Sequence, residues 1–545
     1  MRKTIICQLL FLISIFTFQK DLWARNWQLD PSLTIQETYS DNVRLAPSGQ
    51  EKSAFVTEIS PGISFSRQTA RNQVDLNYRM QNFFNAGGND SYDLFHQFQF
   101  DSKTEFLRNL LFLDLSSSIS QQNVSDIRSA NDNISGGNNR TNVTRYGFSP
   151  YWTPHFHGYA DGELRFRYEK LSTDRDRNDS ASIANTNIIT TNSALSDSET
   201  IEESIHLKSG WRFSRVTWAV NFVNREQTRE RGNDVVFRNT DGLVRVHLNR
   251  EFSLFAQAGY SDNSFQGFNN NRNRNGFFYT FGGGWNPSRY FGIEAGFGNN
   301  TFVTLKLSPT RHMKWDVTYR NNDIGTNTGS TWESHFEWKT RRATWTASYS
   351  EETSTVQNLL SDARPFTQVD ATGQPVIDPV TNQPFQRDIS LPTLVDEVFI
   401  SKRGEISFSY RTGKTDINAR VFNVKRIFQV SGRKDDVFGA SADLDWRFTR
   451  RTSFFARSSW QKRDRKGSSL LGSATNIIST VNNSSNFSDN RFDFSLGLIR
   501  RIPFRLGKNS RMNARIEYRY LNQTSDSEFN EFQENRISAS LQMSL

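Results

Sequence analysis

At 545 residues, with 35% apolar residues and a mean hydropathy of −0.65, the chain is too poor in aliphatic side chains to build a series of soluble cores. Its 13% aromatic content, including 45 Phe, equally excludes a disordered polymer. The formal charge of +9 arises from 66 basic and 57 acidic residues without a Lys/Arg block, so nucleic acid is not an expected partner.

The chain opens with Arg2 and Lys3 before an apolar run from Thr4 to Phe18, and "LWA" ends at Ala24. A charged start, an apolar centre and a small residue at the cut site predict a secretory signal peptide over 1–24. The single cysteine, Cys7, leaves with it, so the mature chain is expected to hold no disulfide and no thiol. The signal carries Arg2, Lys3, Lys20 and Asp21, a net +2, which leaves +7 on residues 25–545. No later stretch approaches 18 consecutive apolar residues, so an exported chain of this kind can enter a membrane only as a closed barrel.

From about residue 27 onward one pattern keeps returning. In "GWRFSRVTWAVNF" (210–222) Val216, Trp218, Val220 and Phe222 share a face. In "LSPTRHMKWDVTYRNND" (307–323) a turn-like "SPTR" precedes Met313, Trp315, Val317 and Tyr319, which alternate with Lys314, Asp316, Thr318 and Arg320. "HLNREFSLFAQAGY", "GWNPSRYFGIEAGF", "WKTRRATWTASY" and "DWRFTRRTSFFARSSW" follow the same plan. Each reads as a hairpin with a tight turn, one apolar face and one polar face. The opposite links are long and rich in Asn, Ser, Asp and Gly, as in 121–140, 171–199 and 467–486. The longest, 354–396, holds five of the 13 prolines. Short turns at one end and long polar loops at the other predict an all-β, antiparallel, up-and-down outer-membrane barrel of about 24 strands in one domain, 25–545. The last strand alternates to the final residue through Ile537, Ala539, Leu541, Met543 and Leu545, which suits recognition by the outer-membrane insertion machinery.

"DPSLTIQETYSDNVRLAPSG" (30–49) followed by "TEISPGISFSRQTARNQVDLNYRM" (57–80) resembles the start of a family of outer-membrane barrels found with bacterial PEP-CTERM (exosortase) and exopolysaccharide systems. "TYSDNV" and "SPGISFSR" are its specific part, and "YSDN" returns at 260–263. The resemblance implies a Gram-negative outer membrane and a link to exopolysaccharide export or surface sorting, with an anionic polysaccharide or export-system proteins as partners. It supplies no catalytic residues. Within the motif, Tyr39 is expected at an aromatic girdle, with Asp41 and Asn42 starting a loop.

Catalytic motifs are missing: the sequence has no HExxH, GxSxG or GxxxxGK[ST]. His155 and His157 fall in a predicted turn without a third ligand, and Asp174, Asp176 and Asn178 begin a calcium-loop spacing that Asp179 and Asn185 break. No enzyme, cofactor or metal is expected. The chemistry lies in charges that alternate with apolar residues: Asp75 and Arg79; Asp161, Glu163, Arg165 and Arg167; Lys314, Asp316 and Arg320; Arg515, Glu517 and Arg519. A charge at the lipid midplane costs about 2–4 kcal/mol, so these side chains are expected to face a lumen. There they would pair to brace the wall, and surplus Arg would attract acidic sugars. At about 24 strands wall side chains cannot fill the interior, which predicts a water channel or one blocked by its own loops, with 354–396 as the candidate lid. The expected role is a passive channel or export conduit; the alternative is a non-conducting anchor for a surface assembly. With strands expected from Trp27 there is no room for the plug of a TonB-dependent receptor, and none for an autotransporter's passenger domain.

Overall fold

The computed structural model describes residues 27–87, 91–123, 132–135, 140–174, 196–230, 234–264, 275–362, 397–429, 431–466, 487–503 and 511–544. Residues 1–26, which include the segment 1–24 expected as a signal peptide, Asp176 and Asn178, and residues 363–396 lie outside the described residues.

The strands follow in chain order. The first six are β1 (Trp27–Ser40), β2 (Ala54–Gln68), β3 (Asn72–Ala86), β4 (Ser91–Leu107), β5 (Leu111–Asn123) and β6 (Arg140–Trp152). Next come β7 (Ala160–Thr173), β8 (Ser198–Ser209), β9 (Val216–Arg229), β10 (Val235–His247), β11 (Phe252–Ser264) and β12 (Gly276–Ser288). They continue with β13 (Phe291–Gly298), β14 (Asn300–Thr310), β15 (Met313–Asn322), β16 (Gly329–Lys339) and β17 (Ala343–Ser354), after which the helix α1 (Val356–Asp362) intervenes. The wall ends with β18 (Phe399–Arg411), β19 (Thr415–Phe428), β20 (Lys434–Arg447), β21 (Thr452–Lys466), β22 (Phe487–Ile502), β23 (Arg511–Ser525) and β24 (Phe532–Ser544). A two-residue bridge, His155–Phe156, pairs with Asp161 and Ala160 inside one turn and adds no wall strand.

Every strand pairs antiparallel with its neighbours in sequence, and β1 pairs with both β2 and β24, Ser32 opposite Ser544 and Ser40 opposite Arg536. The ring is closed, so no edge strand is left with bare N–H and C=O groups, the condition for crossing a bilayer with strands. Among the described residues no helix is long and apolar enough to cross. Turns such as 69–71, 108–110 and 412–414 lie at one end with Trp27 and Ser544; the strand ends that flank the long links, such as Asn123 and Arg140, Thr173 and Ser198, and Ser354 and Phe399, lie at the other.

The register carries one face continuously around the ring. On that face Glu534, Arg536 and Asp435 are 1%, 7% and 1% exposed, while on the other Ile516, Phe281 and Phe297 are 63%, 60% and 64% exposed. Polar residues inside and exposed rings outside reverse the pattern of a soluble protein and define a membrane wall. Tyr39 belongs to the outer set, its ring 5.1 Å from that of Phe55. Asp41 and Asn42 leave the strand as caps: Asp41 accepts from the Asn535 backbone at 2.7 Å, and Asn42 bonds Ala46 through both its side-chain atoms.

The "SPTR" stretch differs from its expected turn. β14 runs on to Thr310, and the reversal is the dipeptide 311–312, with Ser308 and Pro309 absorbed in a bulge between Leu307 and Thr310. Proline cannot donate to the ladder, and a bulge is where a strand tolerates it. Pro287 makes the same irregularity between Trp285 and Ser288. Gly282 is fixed by a close approach: a Cβ there would stand 2.5 Å from Phe255, whose ring lies against the inner wall and stacks 5.6 Å from Phe302.

Candidate functional site: the inner wall and its crossed mouth

Asp75, Arg79, Asp161, Glu163, Arg165, Arg167, Lys314, Asp316, Arg320, Arg515, Glu517 and Arg519 all stand on the inner face, by the register that carries that face from strand to strand. Their surroundings differ. Arg165 donates to Glu163 at 2.9 Å and reaches across β6 to Asp114 at 3.1 Å, with its guanidinium 3.9 Å above the Tyr151 ring. Arg79 gives two hydrogen bonds to Gln97, at 3.0 and 2.6 Å. Arg167 lies 4.0 Å from Glu202, and Arg320 3.6 Å from Glu333. Arg515 pairs with Glu517 at 2.6 Å, over the Phe455 ring. Asp161 meets His155 Nδ1 at 2.9 Å in the exposed turn, where His157 has a left-handed backbone (φ 48°). Lys314 sits opposite Glu337, Asp316 between Lys306 and His335, and Asp75 opposite Asp101.

Several pairs were not singled out from sequence. Arg245 forms a bidentate pair with Glu294, at 3.1 and 2.9 Å, over Gly284 and Ser253. Arg145 pairs with Glu169 at 2.7 Å, and Glu405 accepts from Arg403 and Arg420 at 2.7 and 3.0 Å. Strand alternation places each of these on the inner face, but which partners meet depends on the register between strands, across two intervening strands for Arg245 and Glu294 and between adjacent strands for Arg145 with Glu169 and Arg420 with Glu405. No group of three or more His, Cys, Asp or Glu side chains among the described residues is arranged to hold a metal.

At the loop end three segments turn inward. Leu45, in the β1–β2 link, packs on Leu521 and Phe532. Residues 132–135 lie along the wall from β24 to β3: Asp132 accepts from Arg519 and, at 2.5 Å, from Arg536. Ser135 donates to Glu534, which also accepts from Ser40 at 2.6 Å, and Asn133 reaches Gln81 at 2.7 Å. Burial alone would push the Asp132 carboxyl up, but the guanidiniums of Arg536 and Arg519 outweigh it and hold the group well below the usual carboxylate range.

The third segment is α1. Its Val356 is fully buried in a cluster with Val143 and Leu171, from β6 and β7, and with Phe399 and Phe428, from β18 and β19. Those two pairs of strands stand twelve apart in a ring of 24, on opposite sides of the lumen. Thr355 donates to Gln227 on β9 at 2.9 Å and caps the helix by accepting from the Asn358 N–H at 3.2 Å; Gln357 reaches Ser196 at 3.5 Å. One short helix therefore ties both walls together across the mouth. Its polar bonds and buried apolar residue come from a link that composition alone marks only as long and Pro-rich.

Wall, faces and loops define an outer-membrane-type β-barrel. No protein-family model matches the chain, and no curated protein matches it in sequence. Among solved structures it is similar to the FrpB iron transporter from Neisseria meningitidis (F5-1 variant), at 10% identity over 96% of this chain and 83% of that one, TM-score 0.46. It is also similar to the siderophore receptor PirA from Pseudomonas aeruginosa, at 9% identity over 94% and 80%, TM-score 0.39. A ferric enterobactin receptor of Pseudomonas aeruginosa in complex with enterobactin aligns at 10% over 95% and 81%, TM-score 0.43. None of these structures is named for an exosortase or exopolysaccharide system.

Proposed function

We propose that this barrel is a conduit through the bacterial outer membrane whose outer mouth is held shut by α1. The observation that carries the reading is the seating of Val356 between opposite walls. Below it the inner face is polar and its ion pairs are local, so a hydrophilic solute or polymer passes by diffusion with no covalent step once the helix leaves. Opening exposes only a small apolar cluster and breaks the bonds of Thr355 and Gln357, a cost within reach of a ligand or partner at the mouth. The resemblance to exopolysaccharide-linked barrels makes an acidic polysaccharide the first cargo to test, because inner guanidiniums suit carboxylates.

The test is single-channel conductance of the refolded mature chain in a planar bilayer, beside a variant lacking residues 354–396. We expect small or no steps from the full chain and large steady steps from the deletion, reduced by an added acidic polysaccharide. Block by a ferric siderophore but not by polysaccharide would overturn the cargo assignment in favour of the kind of ligand the structural neighbours are named for. Silence from both proteins, once verified as inserted, would leave a non-conducting anchor.

A further inference from the structure

We infer that the outer face between β15 and β20 is a binding site for one membrane lipid with a phosphorylated headgroup, its acyl chain in a wall groove and its phosphate on lysines above. The outward residues Trp315, Phe336, Ala347, Ile406, Val421 and Phe438 border a groove of about 580 Å³, with Gly404 in its floor. That volume falls within the range of ligand pockets, roughly 300–1,000 Å³. Polar groups in the groove are satisfied internally: Trp315 donates to Ser334 at 3.1 Å, so the surface left for a ligand is apolar.

Charge begins one outward position above. On β18 the outward sequence toward the loop end is Ile406, Gly404, Lys402; on β19 it is Val421, Asn423, Lys425; on β20 it is Phe438, Asp436, Lys434. The groove's upper rim holds this layer in place. Tyr349 donates to Glu351 at 2.9 Å, which takes Lys402 at 2.7 Å, and Asn423 donates to Asp436 at 2.7 Å, which lies 3.3 Å from Lys425. With Lys462 and Lys466 of β21, five lysines face three carboxylates, Glu351, Asp436 and Asp464, and Lys434 stands directly opposite Lys466. The same level across the barrel is acidic: Lys170 and Arg238 stand among Glu199, Glu203, Glu226 and Asp262. An anionic headgroup is attracted to the first side, where the groove lies, and repelled from the second.

The test is native mass spectrometry of the refolded full chain in detergent, titrated with bis-phosphorylated lipid A. We expect one retained lipid per chain. K402Q/K425Q should lower the affinity by at least about tenfold, each lysine being worth roughly fivefold. G404L, which fills the groove and leaves the charges, should abolish retention. Lipid A stripped of phosphate should bind like the lysine variant, and inorganic phosphate should not compete. Unchanged binding in either variant, equal loss in K170Q/R238Q on the opposite side, or competition by free phosphate would overturn the assignment.

Discussion

Two parts of the inner wall carry the same alternation of charge and do different things with it. On β15 and β16, Arg320 and Glu333 lie 3.6 Å apart with side chains 46% and 66% exposed: a pair open to the lumen. At the β23–β24 seam, Arg519 and Arg536 share Asp132 from the β5–β6 link, Arg519 also holds Asp493, and Glu534 ties Ser40 to Ser135. The difference is desolvation. A pair in water contributes little because each ion is already well solvated, whereas a pair covered by a loop is bound to its partners by the cost of being left alone. The first part sets the character of the water path, and the second fastens a loop to the wall.

Breaking the seam should have the largest effect. R536A removes one of the two guanidiniums that hold Asp132 and the cation beside Glu534 in a covered site, and should cost about 3–5 kcal/mol, read as a lowered midpoint of urea unfolding from lipid vesicles. A charge on the other face comes next: I516R, at an outward position near mid-wall, should cost about 2–4 kcal/mol in the same assay. R245K keeps the charge but loses the two-point bond to Glu294 and should cost about 1 kcal/mol. R320A should fall within about 0.5 kcal/mol, yet shift the cation preference of the opened channel; a loss as large as that of R536A would erase the contrast between the two regions.

The seam also predicts a pH response. The folded state holds the Asp132 carboxyl below its ordinary range, so the ionised group stabilises the fastened loop fully above that range. The contribution is lost only as pH falls from the ordinary carboxylate value through the lowered one. Limited proteolysis within 124–139 should therefore stay slow at neutral and mildly acid pH and accelerate only in strong acid, while D132N should be cut readily throughout.

The barrel was legible because its signal is local. Side-chain period 2 assigns Met313, Trp315, Val317 and Tyr319 to one face and Lys314, Asp316 and Arg320 to the other without knowledge of any neighbour, and the contrast of short turns with long links orders the hairpins. The lumen charges were legible for the same reason, but their partners were not. Arg245 and Glu294 are 49 residues apart, and only the registers of β10 to β13 bring them together. Asp132 lay in a polar loop with nothing local to distinguish it from the Asn and Ser around it.

By itself the sequence determined which residues meet lipid and which meet the interior, since alternation along a strand is a property of the backbone and of nothing else. Closure of the ring decided the rest. Bringing β6–β7 within reach of β18–β19 requires the whole circuit of 24 strands, so only the tertiary structure could set Val356 between opposite walls. The lysines above the groove needed less: the pairing of β18, β19 and β20 with their neighbours in sequence aligns Lys402, Lys425 and Lys434 at one level.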